Sequence, residues 1–229
     1  MIWQGVPAGS LCATLSRGPG DAAEFITGRP YEHISMEKQP ILATGRLLLR
    51  PFDLPDAPLV QRLCGDYAVA ATTLLPYPYP DGLAELWIAS LLEGIERGDA
   101  AAFAVTLAED GSLIGGVRLR IDTEHSRAEL GFWVASRCWG RGYATEAVRA
   151  VIEYGFSTLG LHRVHAMNFS RNPASGRVME KCGMLHEGRF REHVRKWGVY
   201  EDVDVWGVLR EPVGRPGAYS PSPLHRAPL

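Results

Sequence analysis

Two kinds of residue that could take part in chemistry lie close together between positions 129 and 145. A single carboxylate, Glu129, interrupts the apolar stretch RAELGFWVA, and shortly after it the sequence WGRG precedes an apolar helical pattern. Exposed amide N–H groups at a helix start, together with the positive end of the helix dipole, form a site for phosphate. Glycine at positions 140 and 142 would let such a ligand approach the backbone closely. The alternative is a plain strand-to-helix turn with Arg141 in solvent.

Two common phosphate-binding motifs do not fit this turn. The dinucleotide fingerprint GxGxxG requires glycine or alanine at the position of Thr145, and the next strand, LGLHRVHAMN, ends without the expected acidic residue. A Walker A loop requires Gly-Lys followed by serine or threonine, which the chain lacks. Both nucleotide-binding classes are therefore excluded.

Periodicity and turn residues predict the elements that position this turn. We expect strands at GRLLLRPF, on both sides of a two-residue turn at Asp110–Gly111, at RAELGFWVA, at HRVHAMN, and near 185–195 and 200–210. Helices are predicted for DAPLVQRLCGD, for LAELWIASLLEGIERG, for 144–159 and for Asn172–Cys182. Strands that come first in a run and then alternate with helices indicate a mixed α/β sheet.

The glycine turn resembles motif A of the GNAT superfamily of acetyl-CoA-dependent N-acetyltransferases. That motif has glutamine or arginine, two variable residues, glycine, one variable residue, and glycine or alanine; here it reads WGRGYA, with Trp139 in first place. Three further segments resemble the family in the right order: GRLLLRPFDLPDA, NFSRNPASGRVMEKCGM, and the spacing Gly198, Asp202, Trp206, Glu211. The resemblance covers about residues 44–211. The form WGxGYATEA is similar to the branch of ribosomal-protein N-terminal acetyltransferases that act on alanine or serine.

The resemblance implies an α/β (α+β) fold class and a single GNAT fold. Its central mixed, mostly antiparallel sheet would splay near residues 129–135, with helices on both faces and the co-substrate acetyl-CoA in the opening. The pyrophosphate of coenzyme A would be held by the amides of the turn: Gly140, Arg141, Gly142, Tyr143, Ala144 and Thr145. Backbone groups would hold the pantetheine arm as a strand does, those of Trp133, Val134 and Ala135. The Asn172 side chain would contact pantetheine as well.

Acetylation of an amine requires a proton acceptor, because an ammonium must lose a proton before or during attack on the thioester. A carboxylate within reach, directly or through water, can accept it, and the resemblance places Glu129 where some members keep their general base. The alternative is a strand glutamate paired with Arg127 or Arg118. Many members carry a tyrosine that protonates the leaving thiolate, where this chain has Met179. Ser175 or a water is then the substitute proton donor.

We therefore expect an N-acetyltransferase that moves an acetyl group from acetyl-CoA to a primary amine by direct attack. The branch resemblance indicates a protein N-terminus as the acceptor. A small amine, such as an antibiotic or a polyamine, and a non-catalytic acyl-CoA-binding module are the alternatives, since a fold does not determine the acceptor. Tyr77 and Tyr79 lie on a loop where this family builds part of its acceptor pocket. We expect no direct binding to nucleic acid or membrane, and either a monomer or a homodimer.

Composition and charge agree with an ordinary globular domain. The 229 residues are 46% hydrophobic with a formal net charge of -2, which gives no whole-chain attraction to nucleic acid. The four cysteines are widely spaced without a CxxC pair, which predicts a reducing, cytoplasmic location. No metal site is expected, because His162 and His165 point to opposite faces of a strand, and Cys182 with His186 supplies only two ligands.

The chain divides into three regions by composition. Residues 1–40 are rich in Gly, Ala, Ser and Pro and are predicted to form a loose arm, with Met36 as an alternative translation start. Residues 41–212 are the predicted acetyltransferase domain. Residues 213–229 are rich in proline and are predicted to be a disordered tail.

Overall fold

The structure of the protein is a computed structural model that describes residues 39–210. Strands in this part of the chain are β1 Leu42–Ala43, β2 Leu47–Pro51, β3 Ala100–Leu107, β4 Leu113–Asp122, β5 Arg127–Val134, β6 Arg163–Phe169, β7 Leu185–Lys196 and β8 Val199–Leu209. The α-helices are α1 Ala57–Cys64, α2 Tyr67–Ala71, α3 Leu83–Arg97, α4 Tyr143–Ser157 and α5 Pro173–Lys181. The predicted tail, Met36 and all but the last two residues of the predicted arm lie outside the described residues.

The strands form one sheet in the order β1-β2-β3-β4-β5-β6-β8-β7. All neighbours pair antiparallel except β5 and β6, which are parallel. A parallel pair needs a crossover connection, and α4 provides it. The predicted mixed, mostly antiparallel sheet is therefore confirmed.

The parallel pairing of β5 with β6 is short. Only three residue pairs join the two strands, and the last of them is Glu129 opposite His165. Beyond this point β5 stays paired with β4 as far as Val134, and β6 stays paired with β8 as far as Phe169. The two strands consequently diverge, and the sheet opens into a cleft between them.

Helices α3 and α4 cover opposite faces of the sheet. On one face the ring of Phe103 packs against Tyr154 of α4, with centroids 5.4 Å apart. On the other face Phe52 packs against Trp87 of α3 at 5.0 Å. The apolar sides of both helices thereby bury the sheet, and the predicted helices on both faces are confirmed. Over residues 39–210, every helix is too short or too polar to cross a bilayer.

Side chains of β5 alternate between these two faces. A Cβ on Gly116 would lie 2.9 Å from the ring of Phe52 and 3.0 Å from Nε1 of Trp133, so Trp133 faces the α3 side. Glu129 has the same parity and faces that side as well. The residues between them face α4, and they are Ala128, Leu130, Phe132 and Val134.

Two short elements and one turn differ from the sequence prediction. Neither β1 nor α2 was expected, because two and five residues are too short to show a period. The turn at Asp110–Gly111 is part of a longer loop, residues 108–112, which the amide of Leu107 closes by donating to the carbonyl oxygen of Ser112 at 2.9 Å.

The buried face of α3 includes small residues as well as large apolar ones. Leu86 is apolar but 64% exposed, whereas Ala84, Ile88 and Gly94 are buried. A Cβ on Gly94 would lie only 2.9 Å from Asp99 and 3.0 Å from Ala100. Small residues let the helix approach β3 on this side, and a pattern of large apolar residues does not reveal them.

Candidate active site

The opening between β5 and β6 continues into a cavity of about 270 Å³. Its walls are the second half of β5, the turn before α4, one face of α5, and the end of α2 with the residues after it. Among the lining side chains, all from residues 39–210, none is a carboxylate, whereas Arg177 and Lys181 are basic. The cavity is therefore suited to a long ligand with an anionic end.

The turn before α4 presents backbone N–H groups to this cavity. Gly140 and Gly142 have φ of +74° and +80°, in the left-handed region that glycine adopts without strain. Gly142 is the N-cap of α4, and no side chain caps this end of the helix. The first amides, those of Tyr143, Ala144 and Thr145, therefore have no partner within the helix. All five of these residues line the cavity, whereas Arg141 does not.

An ion pair from a distant part of the chain supports this turn. Nη1 of Arg46 donates to the carbonyl oxygen of Arg141 at 3.0 Å, and its Nε and Nη2 contact one carboxylate oxygen of Glu146 at 2.8 and 2.7 Å. The other oxygen of Glu146 accepts from the hydroxyl of Thr44 at 2.6 Å and from the backbone N–H of Arg46 at 2.8 Å. The turn is thus fixed, and an acidic side chain near an anion site is neutralised.

Backbone groups of β5 point alternately toward β4 and toward the opening. The amide of Ala135 donates to the carbonyl oxygen of Ile114 at 2.8 Å, and so points toward β4. By alternation, Trp133 also directs its backbone groups to β4, while Phe132 and Val134 direct theirs into the opening. Of the three residues that sequence reasoning proposed for pantetheine, Trp133 and Val134 line the cavity and Ala135 does not. Phe132 and Val134 are therefore the lining residues of β5 whose backbone groups face the opening.

Trp139 adds a hydrogen-bond donor that the family motif did not predict. It stands where the family pattern has glutamine or arginine, and its Nε1 donates to the carbonyl oxygen of Val134 at 2.7 Å. The indole lines the cavity but remains half exposed. It therefore forms the edge of the cleft at the point where β5 ends.

The opposite wall of the cavity begins with Asn172, the N-cap of α5. Its Oδ1 accepts from the backbone N–H of Ser175 at 3.4 Å, and its Nδ2 donates to Oγ of Ser175 at 3.0 Å. The same Nδ2 donates to the carbonyl oxygen of Thr72 at 3.4 Å. Asn172 and Ser175 both line the cavity. The structure thus brings the two predicted residues together and connects them to the end of α2.

Met179 occupies the position where many family members carry a tyrosine. Its side chain is 1% exposed, packs in the hydrophobic core and does not line the cavity. A proton donor at this position is absent, as the sequence indicated.

Sequence reasoning missed the contribution of α2 to the cavity wall. Val69, Thr72 and Thr73 line it. The segment YAVAA shows no clear period, but Asp66 directly before it accepts a hydrogen bond from the amide of Ala68 at 2.9 Å and is an N-cap. That N-cap residue is the signal that could have revealed the helix.

Sequence reasoning also missed the basic residues of α5. Arg177 and Lys181 share one helix face with Ala174 and Val178, at spacings of three, four and seven residues, and all four line the cavity. The spacing is visible in the sequence. Both basic side chains are exposed and lie on the wall opposite the glycine turn, so they add positive charge where the ligand is anionic.

Glu129 lies at the apex of the opening rather than along the cavity. It is buried and forms an ion pair with Arg120, which lies directly opposite on β4. The alternative of a strand glutamate in an ion pair is therefore present, but its partner is Arg120 rather than the expected Arg127 or Arg118; Arg127 instead pairs with Asp122. Phe132, the first residue of β5 to line the cavity, is three positions further on, or about 10 Å at the rise of a strand. The carboxylate sits at the narrow end toward which the cleft points.

Metal-ligating side chains are not clustered in the part of the chain that the structure covers. No group of three or more His, Cys, Asp or Glu residues there could hold a metal ion. Cys64, Cys138 and Cys182 are buried free thiols, and Cys12 lies outside the described residues.

Comparison with known proteins identifies the family. Residues 46–185 match the family described as "Acetyltransferase (GNAT) domain". The chain is 32% identical over 172 residues to "Uncharacterized N-acetyltransferase YnaD" of Bacillus subtilis, which covers 74% of this chain and 97% of that protein. It is 35% identical over 120 residues to "Putative ribosomal N-acetyltransferase YdaF" of the same species, at 52% and 61% coverage.

A solved structure that contains coenzyme A is also similar to this chain. Spermidine N-acetyltransferase from Vibrio cholerae, in complex with CoA and spermine, has a TM-score of 0.64 and 26% identity, over 72% of this chain and 96% of that one. Coenzyme A has a pyrophosphate, which a helix start can bind, and a pantetheine arm, which an opened sheet can accommodate. The chain therefore belongs to the GNAT family and is an acetyl-CoA-dependent N-acetyltransferase.

Proposed function

We propose that this enzyme acetylates the N-terminal amine of a protein, by direct attack of the amine on the thioester of acetyl-CoA. The observation that carries the proposal is the charge of the sheet surface around Glu129. Because the α4 side of β5 is filled by the hydrophobic core, the acceptor reaches the apex from the α3 side, which Glu129 faces.

Arginines dominate this surface. By alternation along β4, β5 and β6, four of them share the face of Glu129, namely Arg118, Arg120, Arg127 and Arg163. Glu129, Asp122 and Glu187 each form an ion pair with one of these arginines. A polyamine carries several positive charges and would have to displace an arginine to reach any of these carboxylates, whereas a peptide N-terminus carries one charge, which it loses before attack. The charge therefore favours a peptide over the polyamine alternative.

An exposed aromatic cluster beside α2 supports the same acceptor. Tyr67, Tyr77 and Trp197 come from three separate segments, and their ring centroids lie 5.1, 5.7 and 6.1 Å apart. All three side chains are about half exposed. Aromatic side chains are enriched where proteins bind peptides and other proteins. Tyr79, the other tyrosine of the loop, is instead buried in the core.

The proposed roles of the site residues follow from their positions. The amides from Gly140 to Thr145, with Arg177 and Lys181, hold the pyrophosphate end of the donor. The backbone of Phe132 and Val134 and the side chain of Asn172 hold the pantetheine arm. Glu129 accepts the proton of the amine, directly or through a water, and Ser175 donates a proton to the departing thiolate.

The test is acetyl transfer from acetyl-CoA to a panel of acceptors, followed by release of the coenzyme A thiol and by mass spectrometry. The panel holds peptides that begin with alanine, serine, threonine or methionine, the same peptides with a blocked N-terminus, and spermidine. We expect acetylation of free peptide N-termini and none of the blocked peptides. Transfer to spermidine but to no peptide would refute the proposed acceptor. Donor binding without transfer to any amine would support the non-catalytic alternative.

A further inference from the structure

His165 of β6 lies directly across the sheet junction from Glu129. The two residues are paired in register on adjacent parallel strands, which run about 4.8 Å apart. Paired residues share a face of the sheet, so both side chains point to the α3 side, where the acceptor approaches. Nδ1 of His165 is buried and, among the described residues, has no hydrogen-bond partner.

An unpaired buried nitrogen is costly and rare, and its neighbour here is a carboxylate. The ring as a whole is only partly buried, so part of it remains accessible to solvent. Glu129 is itself held by Arg120 and stays back from the cavity wall. Glu129 and His165 therefore share this face at the apex, and the imidazole is the more accessible of the two side chains.

The charges that face His165 set its protonation. Burial lowers the pKa of His165 below its ordinary value; the charge of Glu129 opposes this, and the positive charges that reinforce it are those of Arg163, Arg127 and Arg120. The residue opposite it on β8 is Gly207, and the Glu187 carboxylate, paired with Arg163, lies over that glycine. Burial and the arginines favour the neutral imidazole, which can accept a proton.

We propose that Glu129 and His165 form the base as a pair, in which His165 receives the proton of the acceptor amine and Glu129 stabilises the imidazolium. The imidazole takes the place of the water that would otherwise relay the proton to the carboxylate. The arrangement is that of a nucleophile's base oriented by a third group. This inference rests on the proposed function.

The acceptor ammonium loses two protons in the course of acyl transfer. The ammonium of the acceptor transfers one proton to the outward nitrogen of His165, while Nδ1–H turns to the carboxylate of Glu129. The lone pair of the neutral amine forms a C–N bond with the thioester carbonyl carbon, and the C–S bond breaks with its electron pair leaving on sulfur. The second proton of the nitrogen passes to the thiolate through the hydroxyl of Ser175. His165 then releases its proton to solvent, and the products are the amide and coenzyme A.

The experiment compares His165→Gln and Glu129→Gln with His162→Gln, an exposed histidine three residues earlier that serves as the matched control. Dissociation constants for acetyl-CoA come from calorimetry. Values of kcat/KM come from the best peptide acceptor between about pH 5 and pH 9, the range in which histidine titrates. We expect His165→Gln to lower kcat/KM at pH 7 by about 100-fold or more, to leave donor affinity within about twofold, and to remove one inflection of the pH profile. The His162→Gln enzyme should retain both rate and profile.

A second readout does not depend on turnover. Nuclear magnetic resonance of labelled imidazole, in the protein alone, should give a pKa for His165 below its ordinary value. In Glu129→Gln this pKa should fall further, because the negative charge that favours the imidazolium is gone; the inflection of the rate profile should move to lower pH with it.

Separate outcomes overturn the pair and the proposed function. A folded His165→Gln enzyme that binds acetyl-CoA and retains the rate and pH profile of the original would overturn the pair and leave the proposed function intact. A wild-type enzyme that acetylates no peptide would refute the proposed function. In that case, or if His165→Gln fails to fold, the titration still decides: an imidazole pKa that is unchanged by Glu129→Gln would show that the two residues do not act together.

Discussion

Nζ of Lys196 donates a hydrogen bond to the carbonyl oxygen of Leu75, although 121 residues separate them in the chain. Lys196 ends β7 and Leu75 follows α2, so the bond connects the β7–β8 hairpin to the acceptor side of the cleft. The lysine is 4% exposed, and its ammonium lies 4.2 Å from the ring centre of Trp197. Burial, together with the charge of Arg171, lowers the pKa of Lys196 to about 8.

We expect the contribution of Lys196 to stability to increase as the pH rises from about 8 to 10.5. In that range the unfolded chain binds more protons than the folded protein, because the folded pKa is the lower one, so the free energy of unfolding rises with pH. Below pH 8 the cost of burying the charge is fully present, at roughly 3 kcal/mol. Urea unfolding of the wild type and of Lys196→Met at pH 7 and about pH 9.5 measures the effect.

The comparison with Lys196→Met removes the contributions of other groups. The buried thiols of Cys64 and Cys182, whose pKa values burial raises to about 12, destabilise the protein at high pH but are common to both proteins. The exposed Lys181, changed to methionine, is the matched control and should show no such trend. A difference between wild type and Lys196→Met that does not change with pH would contradict this prediction.

Replacement of Arg46 by methionine should weaken donor binding by about tenfold, equivalent to about 1.4 kcal/mol. The change removes the donor to the carbonyl oxygen of Arg141 and leaves Glu146 uncompensated near the anion site. Arg97→Met is the control, because Arg97 has a similar exposure and an ion pair with Asp99 at 2.8 Å, away from the cavity. Calorimetry with coenzyme A measures both. Equal affinities in the two variants would show that the ion pair does not position the turn.

Alanine at Gly140 should separate backbone strain from ligand binding. Gly140 and Gly98 have φ of +74° and +78°, and a Cβ at either position meets no atom within 4 Å. Gly140→Ala and Gly98→Ala should therefore lose a similar stability, about 1–2 kcal/mol. Only Gly140→Ala should also lose affinity for coenzyme A, since only that Cβ obstructs a phosphate on the turn. If both variants bind the donor like the wild type, the glycine serves the turn alone.

Serine at position 172 should preserve the start of α5 and impair turnover. Serine is an effective N-cap, so the stability of Asn172→Ser should stay within about 0.5 kcal/mol of the wild type, whereas Asn172→Ala should lose about 1 kcal/mol. Serine cannot reproduce the amide donor that contacts both Oγ of Ser175 and the carbonyl oxygen of Thr72. We expect about a tenfold lower kcat/KM for Asn172→Ser. An unchanged kcat/KM would limit Asn172 to capping the helix.

Local sequence signals predicted seven of the eight described strands, the long helices and the glycine turn, because each depends on residues close in the chain. The partners of the site residues could not be predicted in the same way. Glu129 meets Arg120 and His165 through the registers of β4, β5 and β6, which tertiary packing sets. The direction of backbone groups at Ala135 depends on the same register. Arg46 reaches Glu146 across 100 residues, and no local pattern indicates that contact.

The short pairing of β5 with β6 divides the sheet into two parts, β1–β5 and β6–β8–β7, which only three residue pairs join. In the proposed binding mode the pantetheine of the donor lies along β5 and pairs with it as an additional strand, over the length where β6 has diverged. Acetyl-CoA is then a structural component as well as a reactant, and each turnover removes and restores it. We expect the amides of β6 beyond His165 to exchange with deuterium faster in the free enzyme than with coenzyme A bound, while those of β3 stay unchanged. The local stability of the sheet at β6 would thus fall and rise once in each catalytic cycle, as coenzyme A leaves and acetyl-CoA binds.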